Sequence, residues 1–487
     1  MGKTRFPAEE RKGPPAPTSP LFGQIDKISS PPFLELPKET VSLRGDVTQF
    51  PGAKSSGPKQ QIIIGLDFGT AFTKVVIGEV RINYAVPFMS TKNENPYLLA
   101  SVFRVNLNGE CFFVHDVVAS GKLVTNLKMK LLEGNSSRED LINIVAYLAL
   151  VFRHCRWWLM ENHRLTYEGK YLEWYVNAGL PTNSYHDEAL TTTYRNLLRA
   201  AWALSIIPDI LTIRGAEKMI SCIERGERLI GDDHLNLQGE LIHSDLIGLF
   251  PEFVAQISGY VQSTDKKNDL HLMVDVGAGT IDISVFNVHE ENKEQRYPIF
   301  AKALMPLGTH YLMKHRAEKV SGDAFNHWNV QDRTPSRDEF ASLGGIPIEQ
   351  VKSIDESFSS KFGKALSDLL KYSKECRYPK SPCWSEGIPT FLCGGGGKVD
   401  VYFEKLQGIE ENRNHSRQIR LKKLPKPKRL EAPSITDDDY HRLMVAYGLS
   451  FNASDLGVII KDSEVEDDRL LKMGIDLYDK FINKDMV

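Results

Sequence analysis

The sequence predicts an α/β protein built from two similar halves. Three observations lead to this fold class: strands and helices alternate from Gln61 onward, a strand–Asp-x-Gly–strand motif occurs twice, and a glycine-rich loop follows a further strand. Alternating elements favour a sheet covered by helices. Since the motif returns after 208 residues, the chain is expected to hold two similar lobes that face each other.

The first copy of the motif is residues 62–80, IIIGLDFGTAFTKVVIGEV. Two runs rich in β-branched residues flank a short turn, which is typical of a β-hairpin. Asp67 ends the first run, where a desolvated carboxylate is costly unless it is paired with a cation. The hairpin therefore raises the question of which cation Asp67 faces.

Further strands and two long helices are predicted between the two copies. Apolar residues at helical spacing predict helices over about 140–163 and 187–206, and acidic residues open the second, where the helix dipole favours them. Strands are expected over three stretches: 97–105, 111–118 and 171–180.

The second half begins with a short helix over about 251–263, followed by the second copy, LHLMVDVGAGTIDISVFNV. In this copy Asp275 corresponds to Asp67. The third element is IPTFLCGGGGKVDVYFEKL, residues 388–406, where a strand should end in four glycines and a helix should start near Val399. Such a loop leaves bare backbone at a helix start, against which a flat ligand or a phosphate can sit.

Composition limits the classes of function. The 487 residues are 41% hydrophobic and 25% charged, which is ordinary for a soluble protein with two or more domains. The net charge of −3 argues against a general nucleic-acid binder, and no apolar run reaches the roughly 18 residues of a membrane span. The six cysteines are widely spaced, so reduced thiols in the cytoplasm are favoured over a metal site at Cys376 and Cys383.

The ends of the chain differ from its body. Residues 1–58 contain ten of the 25 prolines and no periodicity, which predicts an extended or disordered arm that nucleotide binding does not need. The lobes are expected at 59–250 and 251–455, with a short tail at 456–487. The basic run 417–429 favours a solvated surface strand over a site for an anionic partner such as nucleic acid.

The two turns have the composition of phosphate-binding loops. Glycine lets backbone amides approach a phosphate, and Thr70 and Thr280 add hydroxyl donors. Asp67 and Asp275, brought together, would repel each other unless a cation lay between them. Mg²⁺ is the expected cation, held by the two aspartates through water because it sheds its hydration shell reluctantly.

The order of the three elements resembles the ATPase superfamily of actin, sugar kinases and heat-shock chaperones. Within it, "NPYLLASVFRV", "VTNLKMKLLEG" and "DDYHRLMVAYGLS" are most similar to the nucleotide-binding domain of the seventy-kilodalton heat-shock chaperones. The resemblance covers roughly residues 61–455. It implies a two-lobed actin-like fold of duplicated ribonuclease-H-like halves with a nucleotide cleft between the lobes, without the usual peptide-binding domain.

The resemblance also implies roles for individual residues. Asp67 and Asp275 would hold the magnesium waters, Glu252 would position the attacking water, and Lys128 would contact the γ-phosphate, with Lys130 as the rival lysine. The other implied nucleotide-binding residues are Gly69, Thr70, Ala71, Lys74, Gly277, Ala278, Gly279, Thr280, Lys364, Gly394, Gly395, Gly396, Gly397 and Lys398. The adenine-reading helix of the chaperones is only partly matched by "SSKFGKALS", so base contacts are the least determined.

Simpler interpretations remain open for several of these residues. Asp67 could only cap a turn, and Asp282 could be structural. Glu252 could be an ordinary first-turn helix acid, and Lys128 a solvated charge.

The expected function is that of a cytoplasmic, magnesium-ATP-dependent, chaperone-like ATPase. Turnover should be slow, since the motifs contain no candidate arginine finger. ATP and ADP would bias lobe closure, and a protein partner would read it as a switch or an assembly step. Two alternatives from the same superfamily are a filament-forming actin homologue and a small-molecule kinase.

Overall fold

Two β-sheets with the same strand order form the framework of the protein. The computed structural model describes residues 48–88, 95–116, 121–227, 247–320, 328–412, 417–433, 435–436 and 439–465. The strands are β1 Lys59–Phe68, β2 Phe72–Gly78, β3 Asn83–Ala85, β4 Leu99–Ala100, β5 Phe103–Val105, β6 Cys111–Phe113, β7 Lys122–Val124, β8 Tyr171–Leu180, β9 Ile247–Pro251, β10 Asp269–Val276, β11 Ile281–Glu291, β12 Glu294–Met305, β13 Ile388–Cys393, β14 Ile419–Lys422, β15 Leu430–Glu431 and β16 Val458–Ile460.

Helices cover the sheets and join them. The α-helices are α1 Leu127–Leu132, α2 Arg138–Asn162, α3 Arg164–Tyr167, α4 Thr182–Tyr185, α5 Glu188–Ser205, α6 Ile213–Glu224, α7 Glu252–Val261, α8 Thr309–Lys319, α9 Arg337–Gly344, α10 Ile348–Tyr372, α11 Cys383–Glu386, α12 Asp400–Glu411 and α13 Met444–Leu449. One π-helical segment, Ser373–Arg377, extends α10, and short 3₁₀ helices lie at Gly395–Lys398, Tyr440–Leu443 and Ala453–Leu456.

The strand order repeats between the two sheets. In the first sheet, the antiparallel strands β3, β2 and β1 are followed by β8 and β9, which run parallel to β1. In the second sheet, β12, β11 and β10 are antiparallel, and β13 and β14 follow parallel to β10. The predicted α/β fold of duplicated ribonuclease-H-like halves is therefore confirmed.

The hairpins, the long helices and strand β8 have nearly their expected bounds, whereas the strand expected over 97–105 is divided into β4 and β5 and the one expected over 111–118 ends at Phe113. Both Asp-x-Gly hairpins form, as β1–β2 and β10–β11, and the glycine-rich loop follows β13 and precedes α12. The two long helices of the first half are α2 and α5, and Asp187 caps α5 by accepting a hydrogen bond from the amide of Leu190. The periodic patterns thus predicted the order of the elements correctly.

Each sheet has its own core, and a third cluster of buried side chains joins them. The first core lies within residues 50–249 and the second within residues 270–419. The joining cluster combines Val76 and Ala85 of the first sheet with Met273 and Phe286 of the second, together with side chains of α7 and α13. The two halves are therefore in direct apolar contact through these two helices.

Helices α7 and α13 cross closely at a glycine. A Cβ built on Gly448 of α13 would lie 2.0 Å from the carbonyl oxygen of Ala255 in α7. Real Cβ atoms do not approach backbone oxygens this closely, so the crossing needs glycine at this position. Since both helices also contribute to the cluster that joins the halves, α7 and α13 are called the connecting helices below, and they pack backbone against backbone.

Both ends of the described chain attach to the sheets. Thr48, Gln49 and Phe50 lie within the predicted arm yet contact the first sheet: Phe50 is 5% exposed, the indole of Trp174 donates to the Thr48 carbonyl, and Gln49 exchanges two hydrogen bonds with the Leu172 backbone. Residues 1–47 lie outside the described residues. At the other end, β16, from the predicted tail, pairs parallel with β12.

The late part of the chain also returns to the first sheet. Strand β15 comes from the segment assigned to the second lobe, yet it pairs with β3. The basic run contributes the edge strand β14, with Arg420 exposed and Ile419 buried, as expected for a surface strand. No helix in the described part of the chain is both long and apolar enough to cross a membrane.

Candidate functional site

The β1–β2 turn presents Asp67 to a cation of the chain itself. In the hairpin register Asp67 lies opposite Lys74, and Lys74 Nζ is 2.6 Å from Asp67 Oδ2. Both side chains are largely buried, at 15% and 8% exposure. The cation that the buried aspartate requires is therefore, at least in part, the ammonium group of Lys74.

Ser101 holds the shape of this first turn. Its hydroxyl donates to the carbonyl of Gly69 over 2.7 Å, and its amide donates to the carbonyl of Ala71 over 2.8 Å. Because both carbonyls accept hydrogen bonds from Ser101, the backbone of the turn is held in place from its acceptor side. The donor groups of the turn, including the Thr70 hydroxyl, are not used by Ser101.

The β10–β11 turn is held in a different way. The amide of Gly277 donates to the carbonyl of Thr280 within the turn. The first residues of α8 then bind it from outside, because the amides of Thr309 and His310 donate to the carbonyls of Gly277 and Ala278. Both turns thus have their carbonyls bonded by neighbouring elements.

The two turns meet across the halves. A Cβ built on Gly279 would lie 3.5 Å from Thr70 Oγ1 and 3.7 Å from Met129 of α1. Thr70 belongs to the first sheet's hairpin and Gly279 to the second's, so the duplicated motifs face each other at contact distance. This is the juxtaposition that the internal repeat predicted.

Four carboxylates gather around the turns. Asp275 Oδ2 accepts a hydrogen bond from Gln256 Nε2 over 2.9 Å. Desolvation by the surrounding protein, together with the negative charges of Glu252, Asp67 and Asp282, raises the pKa of Asp275 to about 8. Asp275 keeps a partly exposed surface, so a cation can reach it.

Asp282 bonds the two halves to each other. Its Oδ2 accepts the backbone amide of Thr182 in α4 over 2.7 Å, and the Thr182 hydroxyl lies 2.9 Å from the hydroxyl of Ser284. Burial and the charge of Glu252 raise the pKa of Asp282 to about 6, while the Thr182 amide opposes that shift. The structural interpretation of Asp282 therefore has direct contacts in its favour.

Lys128 and Glu252 form a buried ion pair. Lys128 Nζ lies 2.8 Å from Glu252 Oε1, and Lys128 is only 4% exposed. The rival residue, Lys130, is paired with Asp140 at the surface instead. Of the two lysines, Lys128 is the one that α1 directs toward the carboxylates.

A tyrosine that the sequence did not indicate lies near the same carboxylates. Tyr194 of α5 is fully buried, and its hydroxyl has no hydrogen-bond partner among the described residues. Its pKa is raised first by desolvation and then by the charges of Glu252 and Asp67. A buried hydroxyl without a partner marks a place where water or a ligand group would be stabilised.

The glycine-rich loop packs on β10 more closely than the sequence implied. Gly394 has a φ of 78°, and a Cβ there would lie 2.2 Å from Asp275 Oδ1; a Cβ on Gly396 would lie 2.4 Å from Val276. Two of the four glycines are therefore required by packing against the protein, whereas a Cβ at Gly395 or Gly397 would make only ordinary van der Waals contacts. The loop lies directly beside Asp275.

Two predicted lysines have no hydrogen bond or ion pair with the carboxylates of this cluster among the described residues. Lys398, at the end of the glycine-rich loop, forms an exposed ion pair with Asp439, with 3.0 Å between Nζ and Oδ1. Lys364 is exposed on α10, and within the described ranges no hydrogen bond or ion pair connects it to the loop. The structure thus brings both aspartates, both turns, Lys74, Lys128, Glu252 and the glycine-rich loop together, and it gives Lys364 no polar contact with them.

The donor set suits a hydrated magnesium ion. Within the described residues no three potential ligands are grouped for direct coordination. Asp67 and Asp275 nevertheless offer hard carboxylate oxygens on facing turns, and Glu252 and Asp282 add negative charge near Asp275. Water-mediated binding by two carboxylates fits these residues.

Comparisons with known proteins complete the description. No protein-family model matches the chain, and the search of curated proteins finds no match. Among solved structures, the chain is similar to MreB 5 of Spiroplasma citri bound to AMPPNP, with a TM-score of 0.39, 15% identity and coverage of 80% of this chain and 95% of that chain. The ADP-bound form of the same protein matches with a TM-score of 0.39, 14% identity and coverage of 80% and 94%. Such low scores assign no function.

Proposed function

We propose that this chain is an ATPase of the actin, sugar-kinase and heat-shock-chaperone superfamily that binds magnesium-ATP between its halves. The observation that carries the proposal is the meeting of the two Asp-x-Gly turns, with Thr70 against Gly279 and Asp67 and Asp275 beside them. A phosphate chain placed there would receive donors from both halves at once.

The electrostatics of the cluster favour a divalent cation. At neutral pH a carboxyl with a pKa of about 8 is mostly protonated, because its charge would add to those of Glu252, Asp67 and Asp282. Asp67 and Asp275 would hold a hydrated magnesium ion through water, and its positive charge would offset the negative charge of the cluster. The site is thus built to bind a cation together with an anionic ligand.

Individual residues then have distinct tasks in hydrolysis. Magnesium, when bound, neutralises charge on the phosphates. Glu252 orients a water molecule and accepts its proton, and Lys128 holds the Glu252 carboxylate in place through the 2.8 Å ion pair. Lys74 orients the Asp67 carboxylate through the 2.6 Å contact between Lys74 Nζ and Asp67 Oδ2. Since the remaining work is positioning, turnover should be slow.

The nucleotide state would be read through the connecting helices. ATP contacts both turns, so it favours the closed arrangement more than ADP does, in proportion to the difference in affinity. Helices α7 and α13 carry Glu252 and Gly448 and pack on both halves, so they would transmit closure. A chaperone-like switch or assembly step with a protein partner is the form of output that the chaperone-like segments favour.

The proposal is tested by nucleotide binding and hydrolysis in the parent and in Asp275→Asn, with Asp265→Asn as a matched control at an exposed position. The parent should bind ATP and ADP only with magnesium. Asp275→Asn should lose hydrolysis and keep its fold, since the amide retains the shape of the side chain and removes a repelled charge. Loss of one charged contact typically costs about 1.5–3 kcal/mol of binding.

Two results would contradict the proposal. One is parental hydrolysis in Asp275→Asn, and the other is nucleotide binding by the parent that ignores magnesium. Sedimentation with ATP distinguishes a filament-forming protein, which pellets, from a monomeric switch. A screen for phosphorylated small molecules distinguishes a kinase.

A further inference from the structure

Arg442 places a guanidinium group between an element of the first half and an element of the second. It lies in the 3₁₀ helix Tyr440–Leu443, directly before α13. Its Cζ atom is 5.4 Å from the ring centre of Phe72 in the first hairpin, and its Nη2 is 3.6 Å from the Cβ position of Gly395. The side chain thus lies between the first turn and the glycine-rich loop.

The guanidinium lacks the partners that a desolvated arginine normally has. Its Nε is buried without a hydrogen-bond partner, and no hydrogen bond or ion pair of this side chain occurs among the described residues. Desolvation lowers the pKa of Arg442, and the nearby charges of Asp439 and Asp67 raise it. Because arginine has five N–H donors and stays charged, this arrangement leaves donors available to an anionic ligand.

The surroundings indicate which part of a nucleotide that ligand group is. Gly394, next to Gly395, touches Asp275, and Asp67 lies close enough to influence Arg442. The phosphate chain is the part of a nucleotide that must lie beside the two aspartates. Since the guanidinium lies against Gly395 and Phe72, its donors face the loop side of a phosphate chain held there.

We propose that Arg442 is a nucleotide-binding residue that donates hydrogen bonds to the phosphate chain on the side of the glycine-rich loop. This inference rests on the proposed function and deepens it. Stacking of the guanidinium on Phe72 would fix its orientation before the ligand arrives. The residue would contribute equally to ATP and ADP, because both carry the phosphates nearest the loop.

The test measures the affinities of ATP, ADP and adenosine, with magnesium, for Arg442→Gln, Arg442→Lys and the control Arg81→Gln at an exposed turn. Arg442→Gln should lower the affinities for ATP and ADP by about 10- to 100-fold. Its affinity for adenosine should stay within about twofold of the parent's. Arg442→Lys should recover part of the loss because it keeps the charge. Melting temperatures without nucleotide show whether each variant is folded.

Three outcomes would overturn the inference. Parental affinities in a folded Arg442→Gln would show that the arginine only packs on Phe72. An equal loss for adenosine would place it on the nucleoside, and an equal loss in Arg81→Gln would indicate a general charge effect. If the parent itself binds no ATP, the proposed function fails first, so the two failures are distinguishable.

Discussion

Replacing Gly448 with alanine tests the crossing of the two connecting helices directly. The added Cβ would lie 2.0 Å from the Ala255 carbonyl oxygen and 2.5 Å from its carbonyl carbon. Ordinary contact needs about 3.5 Å, so α13 would have to move away from α7 by roughly 1.5 Å. The obstacle is backbone, which cannot turn aside as a side chain would.

The cost follows from that displacement. Overpacking typically destabilises by about 1–3 kcal/mol, and a clash with backbone belongs at the upper end. For a folding unit of about 150–250 residues, each kcal/mol lowers the melting temperature by about 2–4 °C. Gly448→Ala should therefore melt roughly 5–10 °C below the parent in a thermal scan.

Gly408→Ala is the matched control. Gly408 also lies within a helix, α12, and a Cβ there would meet no atom within 4 Å. Alanine should stabilise this position by up to about 1 kcal/mol through helix propensity. If Gly448→Ala melts at or above the parental temperature, as Gly408→Ala should, the helices do not cross this closely in solution.

Gly448→Ala also tests whether ATP and ADP produce different degrees of closure between the two halves. In the parent, ATP should protect α7, α13 and the two turns from hydrogen exchange more than ADP does. A folded Gly448→Ala should still bind nucleotide but show the same exchange with both, since its helices cannot close fully. Identical protection by ATP and ADP in the parent would rule out the switch and leave a static nucleotide-binding scaffold.

Three further predictions concern the carboxylates and the arm. The pKa of Asp275 in the folded chain, about 8, lies above its ordinary value of 3.8. The free energy of unfolding without nucleotide should therefore decrease as pH rises between these values, and the affinity for magnesium-ATP should increase. In titrations of Asp275→Asn, the contribution of this carboxyl to both pH dependences should vanish. Glu252→Gln should slow hydrolysis by about 10²–10⁴-fold with little change in nucleotide affinity. If this variant hydrolyses ATP at the parental rate, Glu252 has no part in the mechanism. A chain starting at residue 48 should have the parent's melting temperature and ATP affinity. A chain starting at Gly57 loses the burial of Phe50, so its free energy of unfolding should be lower by at least about 2 kcal/mol. A lower ATP affinity of the chain that starts at residue 48 would show that the arm contributes to the nucleotide site.

The parts of the site that sequence predicted are the parts that are local in the chain. The hairpins and the glycine-rich loop carry their signal within about twenty residues, and the hairpin register even pairs Asp67 with Lys74. The choice of Lys128 over Lys130 needed the structure, because it depends on which side of α1 faces Glu252.

Other groups were missed because nothing nearby in the chain marks them. Ser101, Tyr194 and Arg442 reach the site from separate elements, and each is an ordinary residue in its own segment. Gln256 is the exception, because its position in the sequence could have indicated it. It lies one helical turn after Glu252 and therefore on the same face of α7. For the glycine-rich loop, the packing of Gly394 on Asp275 could not be separated from ligand contact by sequence.

The return of the chain to the first sheet has a consequence for biosynthesis. Strand β15 borders β3, and α13 packs on β1, β2 and β8, although both elements follow strands β10 to β14 of the second sheet in the chain. While the ribosome is still translating the second half, the first sheet lacks that cover and leaves apolar surface exposed. Nascent chains of this kind are prone to misassembly until the missing elements emerge. Completion of the first half therefore waits for residues near 450, and a chain released earlier would hold an unfinished domain.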